Sequence, residues 1–196
     1  MAEKGEIWSK KYHDWAGSLP IRRAVYDPEA RKKACDWVTS WMKYAVPVYL
    51  AHEHTEPFCT EMVLEAIQTF SPIKIERLED ITMGLGGGFS GMGEVCGAVS
   101  GAIIGLGLDV TYSTRDTSQV RLRCAKATRS FCRDFKEKFG SLRCQDLGGP
   151  QVWEPGGMEE WFATPNFLEE VFEKRCLQYI RFAIMYPFPS ETKEIY

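Results

Sequence analysis

Apolar residues recur along most of this chain at intervals of three and four, the spacing of one helix face. Asp27-Pro28 pairs a capping residue with a proline suited to a first helical position. Beyond it Ala34, Trp37, Val38, Trp41, Met42 and Ala45 make a stripe, and Pro47 is expected to kink or end that helix. A second predicted helix covers about 59–70, with Met62, Val63, Ala66 and Ile67 inward and Ser71-Pro72 closing it. A short third covers 75–83. The longest clean pattern is 116–139, where Val120, Cys124, Ala127, Phe131, Phe135 and Phe139 align and Gly140 takes the position after the last turn. Ser141 is expected to cap a further turn, SLRCQDL. Residues 148–165 read as a loop rich in Gly, Pro and Trp. Asn166 is expected to cap a last helix bearing Phe167, Val171, Cys176, Ile180 and Ile184, with Pro187 and Pro189 ending it.

Between the third and fourth helices lies GLGGGFSGMG, residues 84–93, with six glycines in ten positions. After it Gly97, Gly101 and Gly105 recur every four residues, a bare strip that lets another backbone approach closely. Val110-Thr111-Tyr112 has the β-branched content for a short extended stretch. The pattern as a whole predicts an all-α protein, a single compact helical domain with a Gly-rich loop and an N-terminal helical extension.

Composition narrows the class. The chain has 196 residues, 44% hydrophobic and 26% charged, which suits one globular domain and excludes wholesale disorder, a collagen-like fibre or a disulfide mini-scaffold. Its 24 Lys+Arg against 27 Asp+Glu leave a net charge of −3, so nucleic-acid binding has no overall electrostatic support. The 14-residue uncharged run 95–108 is Gly-rich and short of the roughly 18–20 apolar residues of a membrane span. The start, MAEKGEIWSKKYHDW, has no apolar leader segment, and a cytoplasmic location is expected.

Seven cysteines, Cys35, Cys59, Cys96, Cys124, Cys132, Cys144 and Cys176, are the unusual feature. The odd count and reducing compartment argue against a disulfide framework. CxxC and CxxCH are absent, so metal or cluster ligation, redox-active thiols and simple burial stay open, and any site must be assembled by folding. Other chemistry is thin. His52 and His54 form an HxH in the polar stretch AHEHTEP, read as exposed linker, and His13 has no visible partner. The run from Gly86 to Gly91 matches GxGxxG formally, but a helix precedes it and no parallel-sheet pattern surrounds it. Trp37 and Trp41 read as core or interface anchors, and Trp153 and Trp161 as packing on the chain's own core.

Four cysteines have distinctive surroundings: CTEMVLEAI at Cys59, GLGGGFSGMGEVCGAVSGAIIGLGL around Cys96, KFGSLRCQDL at Cys144 and RCLQYIRFAI at Cys176. Together they resemble the C_GCAxxG_C_C family of redox proteins over about residues 59–186. The chain departs from the family name by reading Val95-Cys96-Gly97-Ala98-Val99-Ser100-Gly101. The resemblance divides the chain into an N-terminal helical extension (1–58), a cysteine domain (59–186) and a tail (187–196). Split-Soret cytochromes carry a similar cysteine module that holds an iron–sulfur cluster, and haem motifs are missing here.

The resemblance therefore implies Cys59, Cys96, Cys144 and Cys176 as ligands of an iron–sulfur cluster, [2Fe–2S] in preference to [4Fe–4S], and a role in electron transfer. Zinc in a structural Cys₄ site, a metal-free protein and thiol–disulfide exchange are the alternatives. Gly86, Gly87, Gly88, Gly91, Gly93 and Gly97 are expected to shape the site, bringing bare backbone and N–H groups to the sulfurs. Cys96 lies near a helix N-terminus, where the dipole favours thiolate. Cys35, Cys124 and Cys132 are expected to pack in the core. A redox partner protein and a homodimer are the associations the reading allows.

Overall fold

The computed structural model describes residues 28–50, 59–70, 74–113, 116–149 and 155–187. The side chains of Trp41, Met42 and Ala45, together with His13, His52, His54, Ser71-Pro72, Trp153 and Pro189, lie outside the described residues. The elements are α1 (Pro28–Leu50), α2 (Cys59–Phe70), α3 (Leu78–Thr82), a helical turn at Gly86–Phe89, α4 (Gly97–Ser113), α5 (Thr117–Phe139), a 3₁₀ turn at Gln145–Leu147 and α6 (Gly157–Phe162). A π-helical segment, Leu168–Cys176, then runs directly into α7 (Leu177–Met185). Among the described residues the only β-type pairing is one antiparallel bridge, Val95 with Arg143. The protein is all-α.

Helix α2 is the hub. It packs against α1, α3, α4, α7 and the glycine turn, and of its twelve residues only Glu65 and Gln68 escape burial. The glycine strip explains the closest of these packings. A Cβ at Gly101 would lie 2.9 Å from Val63 Cβ and 3.0 Å from the Thr60 carbonyl oxygen, and one at Gly105 would lie 2.6 Å from Ile67 Cδ1. Only hydrogen at these positions lets the two helices meet. Buried Thr60 adds a bond across the seam, its hydroxyl donating to Gly97 O at 3.0 Å.

Helix α5 joins through rings. Phe139 meets Tyr179 edge-on at 4.9 Å and Phe131 meets Tyr186 at 5.0 Å, pairs that contribute about 0.5–1.5 kcal/mol each beyond area burial. The Tyr186 hydroxyl also donates to Asp134 Oδ2 at 2.7 Å. Asp116 caps α5, accepting from Ser118 N (2.9 Å) and Gln119 N (3.4 Å), and Gly140 leaves the helix at φ +90°. Buried Arg31 of α1 donates to Met185 O (3.4 Å) and Tyr186 O (3.3 Å), holding the end of α7 while its guanidinium stacks 4.9 Å over Phe70.

Four local expectations need correction. Helix α1 runs through Pro47 to Leu50. Val110-Thr111-Tyr112 is helical, because buried Val110 extends the packed face of α4 and Thr111 Oγ1 returns a bond to Gly107 O at 2.9 Å; packing overrides β-branched preference there. The 148–165 loop contains α6, anchored by Trp161, whose indole N–H donates to Gly148 O at 2.9 Å and whose ring meets Phe167 edge-on. Asn166 sits at φ +54° and caps with its backbone, Glu170 N donating to its carbonyl at 2.9 Å.

The seam makes a paired prediction. Gly101→Ala should destabilise the protein by about 1–3 kcal/mol through overpacking. Gly107 has open space beside it, so Gly107→Ala should stabilise by about 0.5–1 kcal/mol. Urea midpoints of the two variants check both signs.

Candidate functional site

Each of the four cysteines flanks a junction in the chain. Cys59 is the first residue of α2. Cys96 precedes α4, its carbonyl accepting from Ser100 N at 3.0 Å and its sulfur receiving the backbone N–H groups of Ala98 and Val99. Cys144 opens the 3₁₀ turn, and Cys176 closes the π-helical segment where α7 begins. The helix seam brings the first two together, since a Cβ at Gly97 would lie 2.9 Å from Cys59 Cβ.

A short crossed ribbon brings the third. Cys96 N donates to Leu142 O (2.9 Å), Cys144 N to Glu94 O (2.6 Å) and Gln145 N to Gly93 O (2.9 Å), with Arg143 paired to Glu94 at 3.2 Å. The turn after Cys144 closes by Gly149 N donating to Cys144 O at 2.7 Å. It is then fastened to α7, where the Tyr179 hydroxyl donates to Leu147 O at 3.3 Å, three residues on from Cys176.

The thiols feel one another electrostatically. Burial pushes the Cys59 thiol well up, and the charges of Cys176, Cys96, Cys144 and Glu61 push it further. Cys176 is raised in the same way by burial and by Cys144 and Cys96, with Arg175 opposing. Cys144 is pushed up to about 12 by burial and the Cys96 charge. Cys96 is raised by burial, against the pull of the two amides that donate to its sulfur. Cys59 and Cys96 are buried and Cys144 and Cys176 are half-buried as residues, yet burial is the largest cause of the shift of all four thiols.

The remaining cysteines behave differently. Cys35, buried in α1, is raised to about 11 by burial, with Arg181, Asp36 and Arg31 as its charged neighbours. Cys124 and Cys132 are half-buried on α5 and are raised by burial alone. None of these three feels another thiol.

The glycine positions are all buried, and the amides of Gly91 and Gly93 are used within the turn itself. Gly91 N donates to Gly86 O (3.3 Å), Gly93 N to Gly87 O (3.2 Å) and Glu94 N to Gly88 O (3.1 Å), so the turn is laced to itself. Gly88, at φ +71°, is required by closeness as well, since a Cβ there would lie 2.5 Å from Glu94 N. The turn presents Glu94 and Val95 to the ribbon, while the amides reaching Cys96 sulfur come from Ala98 and Val99.

Two neighbours carried little sequence signal. A Cβ at Gly149 would strike Cys144 Sγ, a role hinted at only by the Gly-Gly pair five residues after the cysteine. Tyr179 shares a helix face with Cys176 and feels the charges of Cys176, Cys96 and Cys144. Among the described residues no group of three or more His, Cys, Asp or Glu side chains is disposed to hold a metal ion as it stands. Four thiols that feel one another's charge are nonetheless a donor set suited in chemistry to a thiolate-ligated centre.

In the reduced, metal-free protein these shifts set a pH dependence. An unfolded thiol loses its proton near the ordinary value of about 9, whereas folded Cys35 and Cys144 keep theirs until about 11 and 12. The folded state then binds more protons than the unfolded state, so stability is full below pH 9 and falls as pH rises above it. Urea midpoints measured under reductant should be lower at pH 10.5 than at pH 8; a flat profile would contradict the burial of these thiols.

No curated protein and no solved structure matches the chain. One family model does, over residues 58–186, with the description "Putative redox-active protein (C_GCAxxG_C_C)". That span holds all four converging cysteines and the glycine turn, and covers well over half of the chain. The protein belongs to the C_GCAxxG_C_C family of redox-active proteins.

Proposed function

We propose that Cys59, Cys96, Cys144 and Cys176 ligate an iron–sulfur cluster, [2Fe–2S] in preference to [4Fe–4S], and that the protein passes electrons to a partner protein. The observation that carries this reading is the convergence of four thiols from four separate junctions, each raised by burial and three of them by the charge of the others. Thiol–disulfide exchange needs a thiol of lowered pKa, and all seven cysteines are raised. Four buried sulfurs can ionise together only if a cationic body neutralises their thiolates. Zinc would do so but has no redox chemistry, which fits poorly with a redox-active family.

Bound at these sulfurs, a cluster supplies reversible one-electron chemistry. The chain's own residues set its surroundings. Cys59 and Cys96 hold it from the buried side at the start of two helices, where the dipoles favour anionic sulfur. The Ala98 and Val99 amides stabilise charge on Cys96 sulfur. Cys144 and Cys176, the two half-buried residues of the four, would complete the ligand set.

Anaerobically purified protein should be coloured and contain iron and sulfide in similar amounts. Cys59→Ser, Cys96→Ser, Cys144→Ser and Cys176→Ser should each bleach or weaken the chromophore, while Cys124→Ser and Cys132→Ser should not. Equal behaviour of the two sets would sink the ligand assignment. Stoichiometric zinc, with no cluster after reconstitution, would sink the electron-transfer role.

A further inference from the structure

Charge is distributed very unevenly over this protein. Helix α5 carries seven basic side chains, Arg121, Arg123, Lys126, Arg129, Arg133, Lys136 and Lys138, against two acidic ones, Asp134 and Glu137, a local net of +5 in a chain whose net charge is −3. Leu122, Lys126, Arg129, Arg133 and Lys136 follow one another at steps of four and three, so they form one row along the helix. All five are exposed, Leu122 at 52%. Arg133 is paired with Asp134 at 3.1 Å. Aligned cations repel one another along a helix, and among the described residues Lys126, Arg129 and Lys136 have no ion-pair partner.

The opposite side of this helix connects to the cysteine region through two successive layers of rings. On the inner side of α5, Phe135 and Phe139 meet Tyr179 at 5.9 and 4.9 Å. The Tyr179 hydroxyl reaches the turn that follows Cys144. The C-terminal end of α5 leads within a few residues to exposed Arg143, beside Cys144.

We propose that the outer row of α5 is the docking surface for an acidic face of a redox partner protein, which rests on the electron-transfer reading above. A membrane surface is disfavoured because the apolar side of α5, with Ala127, Phe131 and Phe135, is committed to the core. A nucleic acid is disfavoured because the exposed positions of α5 hold no aromatic ring for base stacking and the sequence pI is about 5.7. An acidic protein is attracted by this row and repelled by the acidic remainder of the chain, which steers it to this face of the protein.

The test uses full-length protein, metal-free and reconstituted, with poly-L-glutamate as the acidic probe and a single-stranded oligonucleotide of equal charge as competitor. Binding of poly-L-glutamate should weaken steeply with salt. It should fall at least tenfold in the variant Lys126→Glu/Arg129→Glu/Lys136→Glu, and less than twofold in Lys32→Glu/Lys33→Glu/Lys74→Glu, which changes net charge equally at exposed sites elsewhere. Thermal melts confirm that both variants are folded. No binding, equal losses in both variants, or tighter binding of the oligonucleotide would each overturn the proposal. Because the measurement is made with and without metal, its failure is separate from failure of the cluster assignment, which iron and sulfide content decides.

Discussion

The contact between α2 and α4 is the constraint on which the rest depends. Gly97, Gly101 and Gly105 remove the side chains that would otherwise hold the helices apart, and Thr60, Val63 and Ile67 fill the space they leave. Because the strip begins at the first residue of α4, the helices touch at their N-terminal ends. Cys59 and Cys96 stand at those ends, so the same packing that builds the core also brings two thiols together. The Thr60 hydroxyl on Gly97 O fixes their relative height.

The other two cysteines are delivered by different physics. Cys144 arrives through backbone hydrogen bonds between the residues just before α4 and those just after α5, a ribbon possible only because the glycine turn reverses the chain at positive φ. Cys176 arrives on α7, which is held by Arg31 at one end and by the ring layer against α5 along its length. Three kinds of interaction thus converge on one small volume: helix packing, backbone pairing and aromatic contact.

Electrostatically the cluster of thiols is held in a state that favours protons. Burial opposes ionisation of every one, and each further charge makes the next more costly. Such a site is poorly suited to a free nucleophile and well suited to anions that share a cationic centre. Tyr179 feels the charges of Cys176, Cys96 and Cys144 and meets the rings of α5, so one side of the site is lined by aromatic contact.

Much of this was determined by the sequence alone. Periodic stripes located α2, α5 and the last helix, Asp116 and Gly140 marked the ends of α5, and the four-residue glycine spacing foretold a close helix contact, because these are local signals carried by neighbouring residues. The surroundings of the four cysteines carried the family. Tertiary structure decided the rest. It carried α1 past Pro47, kept Val110-Thr111-Tyr112 helical with Val110 buried, and set α6 into a Gly/Pro/Trp stretch, since tertiary context outweighs single-residue preference. It also decided that the glycine turn bonds to itself, that Gly149 must stay bare beside Cys144 sulfur, and that Tyr179 borders the site. Those facts depend on which segments lie side by side, and separations of 37, 48 and 32 residues between the four cysteines hold no record of that.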